Sequence, residues 1–148
     1  MKSKARAVVI GGGVVGVSTL YHLAAKGWDD SILLERKSLT SGSTWHAAGL
    51  LPLFNMSYSV GQIHKYSVRF YQELQDETGM DVGFRNVSNI RLASTQDRMD
   101  EYLQYKGVAD TIGVEVNVLS PQEIKDCWPL VSTENLIGAI QHPEDGYI

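Results

Sequence analysis

The chain has 148 residues, with 13 Lys and Arg against 17 Asp and Glu and a net charge of −4. A surface that mildly acidic offers no electrostatic footprint for nucleic acid or an anionic membrane. Hydrophobic residues at 43% and charged residues at 20% are ordinary globular usage, which excludes disordered, collagen-like and coiled-coil chains and permits one sizeable core. The β-branched run Ala7–Ile10 ends in Gly11-Gly12-Gly13, the pattern of a strand buried on both faces of a parallel sheet. It is too short for the apolar stretch of a signal peptide, and no stretch approaches the about 18 apolar residues of a membrane span. With Cys127 as the lone cysteine, which excludes a disulfide framework and fits a reducing compartment, a bacterial cytoplasmic location is expected.

Val14 to Lys26 repeats apolar residues at three- and four-residue spacing (Val14, Val17, Tyr21, Ala24) and closes on Lys26-Gly27, which predicts a glycine-capped helix. Ser31 to Glu35 predicts a second strand, giving a βαβ unit. Residues 38 to 49, rich in Ser, Thr, Gly and Ala without a period, predict a loop. A long helix is predicted from Val60 to Thr78, with Ile63, Ser67, Phe70 and Leu74 on its apolar stripe and Gln62, Lys65, Arg69, Glu73 and Asp76 on its polar face. Val87–Ala93 reads as a strand, and Thr95–Ile112 as a helix capped by Ser94 with Asp97 three residues on. Val114–Leu119 alternates as a strand does, Ser120-Pro121-Gln122-Glu123 is a capping box, Leu136–Gln141 is one more strand and His142–Gly146 a turn. Only two strands in series are parallel, where such sheets usually hold about five or six. The chain is therefore expected to be part of a larger fold, only marginally stable in isolation.

Gly11, Gly13 and Gly16 form a G-x-G-x-x-G directly after a strand and opening a helix, the setting in which that motif binds a dinucleotide. Gly11 permits the tight turn, Gly13 lets a pyrophosphate approach the backbone, and Gly16 lets the helix lie close to the sheet. The free N–H groups at the start of the helix then face the phosphate. Glu35 closes the second strand about 20 residues further on, where an acceptor for an adenosine ribose is expected. Arg36 and Lys37 follow it, but an acid at the ribose position repels a 2′-phosphate, so NADP is disfavoured. FAD and NAD both remain open from this unit.

In the loop that follows, Gly42, Ser43 and Thr44 supply donors for a second phosphate, and Ala47, Ala48 and Gly49 keep bulk low where a flat ring system would lie. On composition alone His46 reads as a satisfied surface histidine and Trp45 as core.

Gly11 to Gly16, Tyr21-His22-Leu23-Ala24, Leu33-Leu34-Glu35-Arg36 and above all Leu39-Thr40-Ser41-Gly42-Ser43-Thr44-Trp45-His46-Ala47-Ala48-Gly49-Leu50 resemble the N-terminal part of the dimethylglycine and sarcosine dehydrogenases. These are FAD-dependent oxidoreductases related to D-amino-acid oxidase. The similarity continues through Glu77-Thr78-Gly79, Ile90-Arg91-Leu92-Ala93, Gln96-Asp97-Arg98 and Pro143-Glu144-Asp145-Gly146.

The resemblance implies an α/β fold, with a Rossmann-type FAD-binding part over residues 1–80 and the start of a mixed-sheet substrate domain over 81–148. It implies that His46 bonds covalently to the flavin 8α carbon, and that Gly11, Gly13, Val14, Val15, Gly16, Glu35, Arg36, Gly42, Ser43, Thr44, Ala48, Gly49 and Leu50 complete the FAD site. The expected reaction is oxidative demethylation of a small N-methylated amino acid, with folate involved only through a C-terminal portion that this chain lacks. The resemblance places no general acid, general base or substrate ligand within these residues. His22, His64 and His142 have no metal-like spacing and read as structural. Two rivals stand beside this reading. One is a non-catalytic regulatory subunit, of the kind found in pyruvate dehydrogenase phosphatase, which resembles the family but lacks the loop histidine. The other is a different amine or amino-acid oxidase of the same superfamily.

Overall fold

The computed structural model describes residues 4–148, which divide into two compact units at Ala48 and Gly49. In the first, β1 (Ala7–Ile10) and β2 (Ser31–Leu34) pair in parallel, Ala7 opposite Ser31 and Ile10 opposite Leu34, and α1 (Val14–Ala25) connects them. The helix ends as its sequence predicts: Gly27 takes φ +78 and the Lys26 and Gly27 amides close on the last carbonyls. The expectation of burial on both faces is not met, since Val8 is 50% and Ile10 85% exposed. Among the described residues α1 covers one face of this two-stranded sheet, so a β-branched run marks what a strand can bury rather than what lies over it here.

The second unit contains β3 (Leu50–Leu51), α2 (Tyr58–Thr78), β4 (Arg85–Asn86), β5 (Asn89–Ala93), α3 (Gln96–Ile112), β6 (Asn117–Leu119), α4 (Pro121–Cys127), β7 (Gly138–His142) and β8 (Gly146–Tyr147). Two antiparallel sheets form, in the orders β3-β8-β4 and β5-β7-β6. With the parallel pair of the first unit they give the mixed α/β class expected. The core gathers Leu53, Val68, Met99, Tyr105, Ile112, Val114, Val116 and Ile140.

Several local expectations need correction. The cap of α3 is Thr95, whose side chain accepts from the Arg98 amide, rather than Ser94; adjacent hydroxyl residues are indistinguishable by type, and the one in extended backbone caps. Val114 and Val116 are buried as their alternation suggested but precede the strand, because the Val114 amide is used closing α3 onto Ala109. Ile63, placed on the apolar stripe of α2, is 63% exposed, and Gly61 and Val68 are buried instead. A Cβ at Gly61 would collide with Ile112, so the helix crosses its neighbour at a residue that carries no hydrophobic signal. Gln62 and Lys65, assigned to the polar face, donate to the Ile112 carbonyl and cap the C-terminus of α3. The α4 capping box forms as predicted, Glu123 reaching back to the Ser120 amide at 2.7 Å.

Candidate dinucleotide-binding site

The glycine turn between β1 and α1 takes its shape from three contacts. Gly11 adopts φ +110, a conformation that only glycine holds without strain, and its amide continues the strand ladder to the Leu34 carbonyl at 2.8 Å. A Cβ on Gly16 would collide with the Gly11 carbonyl, so the helix can start this close to the strand only because position 16 has no side chain. The Gly12 amide donates to Glu35 Oε2 at 2.7 Å, which ties the turn to the end of β2.

Glu35 also accepts from the Lys37 amide through Oε1 at 2.8 Å. The Gly12 amide first, and then the Lys37 amide, hold its carboxyl below the ordinary value, so it is an ionised acceptor at neutral pH. Its remaining lone pairs are free to receive ribose hydroxyls. Gly12, the unspecified position of the motif, also has little room: a Cβ there would stand 2.6 Å from Leu39 Cδ2 and 3.0 Å from Glu35 Cβ.

The loop predicted over 38–49 contains one 3-10 turn, Ser43–His46, too short to show a period in sequence. It docks on the glycine turn. The Thr40 amide donates to the Gly12 carbonyl at 2.9 Å, the Val14 amide donates to Thr44 Oγ1 at 3.0 Å, and the Trp45 amide reaches back to the Thr40 carbonyl at 3.1 Å. Thr40 takes φ +62, a strained conformation for a β-branched residue, held by this double attachment. His46 Nδ1 lies 3.1 Å from the Gly42 carbonyl. Because a carbonyl only accepts, Nδ1 is the donor, and in the neutral ring Nε2 then carries the lone pair. Trp45 is 76% exposed and is not core; its backbone, not its ring, belongs to the packed turn.

A cleft of about 620 Å³ lies between the glycine turn and this loop. Of the predicted site residues it brings together Gly11, Gly13, Val14, Val15, Gly16, Glu35, Arg36, Gly42, Ser43 and Thr44. His46 and Ala48 lie outside its lining, and Gly49 and Leu50 open the second unit. Thr19, Lys37 and Ser41 also line it. Thr19 faces the cleft one helical turn after Val15, a position that the spacing of α1 identifies once the phosphate end is known. The cleft suits an extended dinucleotide: backbone amides and a helix N-terminus at one wall, an ionised carboxylate beyond them, and glycines where a Cβ would intrude. Among the described residues no group of His, Cys, Asp and Glu is arranged to hold a metal ion, and no helix is long and apolar enough to cross a membrane.

Comparison with known proteins agrees with this geometry. The family profile described as DAO, FAD dependent oxidoreductase, matches residues 6–148. The chain is 41% identical over 147 residues to the mitochondrial dimethylglycine dehydrogenase of Rattus norvegicus, covering 99% of this chain and 17% of that protein. It is 42% identical over 147 residues to the mitochondrial sarcosine dehydrogenase of Homo sapiens, covering 99% and 16% respectively. The chain thus spans about a sixth of the length of these relatives. The crystal structure of L-proline dehydrogenase from P. horikoshii superposes with a TM-score of 0.89 at 25% identity, over 99% of this chain and 38% of the other.

Proposed function

Starting from the fact that the chain belongs to the DAO family of FAD-dependent oxidoreductases, we propose that it is the FAD-binding part of an enzyme that oxidatively demethylates an N-methylated glycine, with the flavin linked covalently to His46. The observation that carries the reading is the docked Ser43–His46 turn. It presents an imidazole with Nδ1 engaged by the Gly42 carbonyl, and therefore with a nucleophilic Nε2, on the loop that follows a dinucleotide cleft. A regulatory role requires no such group. The names of the relatives, dimethylglycine and sarcosine dehydrogenase, supply the substrate class.

In this reading the glycine turn and the α1 N-terminus hold the pyrophosphate, Glu35 accepts from the ribose, and Gly42, Ser43 and Thr44 close over the phosphates. Residues 1–80 form the FAD part and 81–148 the start of the substrate domain. A bound flavin would supply the acceptor for the hydride of the N-methyl carbon, leaving an imine that water would convert to formaldehyde and the demethylated amine, or that would pass its one-carbon unit to folate.

Mixing the full-length protein anaerobically with dimethylglycine or sarcosine should bleach the visible flavin absorbance, with glycine inert for want of an N-methyl group. Bleaching by glycine and by neither N-methyl compound would move the assignment to an amino-acid oxidase. Glu35→Gln is expected to weaken FAD binding roughly tenfold, the usual loss for a hydrogen bond to a charged acceptor. Calorimetry on protein carrying His46→Ala, where binding is reversible, measures this; unchanged affinity would remove Glu35 from the ribose site.

A further inference from the structure

Two bonds dock the loop on the glycine turn, and one of them, from the Thr40 amide to the Gly12 carbonyl, is made by backbone alone. The other is made by a side chain: the Thr44 hydroxyl accepts from the Val14 amide, the first N–H of α1. A hydroxyl that accepts there still has its own proton to donate. Gly13 keeps room for it, since a Cβ at position 13 would stand 3.0 Å from Thr44 Oγ1. The third glycine-turn position therefore serves the threonine as well as any phosphate.

Thr44 and His46 lie on one 3-10 turn. The Ala47 amide donates to the Thr44 carbonyl at 3.2 Å, and the His46 ring folds back on Gly42 at the start of the same turn. Both side chains therefore leave one short, hydrogen-bonded turn of four residues. Thr40, strained at φ +62, shows that the turn is held against a local preference for another conformation.

We propose that Thr44 is a positioning residue for His46: its hydroxyl seats the turn on the N-terminus of α1, so that the end of the site that reads phosphate also fixes where the imidazole points. The proposal rests on the reading of His46 as the group directed at the flavin. It assigns Thr44 a role separable from affinity, because seating the turn matters after the dinucleotide has bound.

The test compares Thr44→Val, which keeps the shape and removes the acceptor, with Thr44→Ser, which keeps the hydroxyl, in full-length apoprotein given saturating FAD in air, dioxygen taking up the two electrons released when the imidazole nitrogen replaces a hydrogen of the flavin 8α carbon. Flavin that stays with the acid-denatured protein is followed over time. Thr44→Val should slow attachment by on the order of ten- to a hundredfold, the scale of an ångström-level misplacement of a reacting group, and Thr44→Ser should attach at close to the unmutated rate. Attachment by Thr44→Val at the unmutated rate once FAD is saturating would overturn the proposal. A second readout needs no flavin: in apoprotein with isotope-labelled histidine, Thr44→Val should shift the His46 ring resonances and Thr44→Ser should restore them, and identical spectra would also overturn it. If the unmutated protein holds no acid-stable flavin but Thr44→Val still moves the His46 resonances, the covalent reading fails while the positioning role stands.

Discussion

His46→Ala in the full-length protein should turn an acid-stable flavin into one that is wholly released on denaturation. The unmutated protein is expected to stay yellow in acid and to yield a tryptic peptide spanning His46 that carries the mass of FAD. The variant should still bind FAD, because the substitution leaves intact the cleft of the Gly11 turn, the α1 N-terminus and Glu35 that is proposed for the other end of the cofactor. Its activity should fall without vanishing: in the proposed linkage the nitrogen substituent would tune and retain the flavin, while the flavin itself would accept the hydride. Recovery of all the flavin as free FAD from the unmutated protein would remove the covalent claim and leave His46 as a loop residue whose ring is satisfied by Gly42.

What the sequence disclosed of this site, and what it did not, follows from the range of the interactions. The βαβ unit, the Gly27 stop and the Glu123 box are set within a few residues, so their signals are local and they form as read. The motif glycines were legible for the same reason, and Gly16 has the role expected of it against Gly11. Gly12 and Thr40 went unmarked because each is fixed by residues distant in sequence: Gly12 by Leu39 and Glu35, Thr40 by the Gly12 carbonyl. Composition misjudged Trp45, since a large aromatic predicts burial in general, while here its peptide group is what the turn uses. On α2 the apolar spacing gave the helix but not its buried side, which depends on where a residue without a side chain lets another helix approach. The acceptor role of Lys65's partner, the last carbonyl of α3, likewise belongs to an element that lies far along the chain.

The buried pair His142 and Asp145 leads to the second large effect. Asp145 is 2% exposed and its Oδ1 accepts from the Leu53 amide at 2.8 Å. The Leu53 carbonyl in turn receives the Tyr105 hydroxyl at 3.3 Å, and His142 Nε2 lies 3.0 Å from that hydroxyl. One hydroxyl proton serves one acceptor, so with Tyr105 donating to Leu53 a neutral His142 donates through Nε2. Asp145→Ala leaves the Leu53 amide buried without its acceptor, and its protection from hydrogen exchange should drop by about 3 kcal/mol. Asp145→Asn keeps a carbonyl oxygen for that amide and removes a buried charge, so at neutral pH its protection should match or exceed that of the unmutated protein.

The two groups titrate with opposite sign. Burial pushes the Asp145 carboxyl up from 3.8 to about 6, against the Leu53 amide, Arg91 and His64, with Glu144 adding to the rise. The folded state then holds a proton that the unfolded chain releases, so the contribution of Asp145 to stability declines as pH rises through this window. Burial, with Arg91 adding, pushes His142 down from 6.5 to about 4. Here the unfolded chain holds the extra proton, so the contribution of His142 grows with pH over nearly the same range. The two slopes oppose each other, and the local stability around Leu53 should be nearly flat between about pH 4 and pH 6 in the unmutated protein. Asp145→Asn removes the declining member and should expose a rise approaching ~1.4 kcal/mol per pH unit from His142 alone. Exchange of the Leu53 peptide, corrected for the intrinsic pH dependence of amide exchange, reads this slope directly. A flat profile in Asp145→Asn would remove the His142 contribution, and equal protection in the Ala and Asn variants would mean that the Leu53 segment is held by its apolar burial and not by the acceptor at position 145.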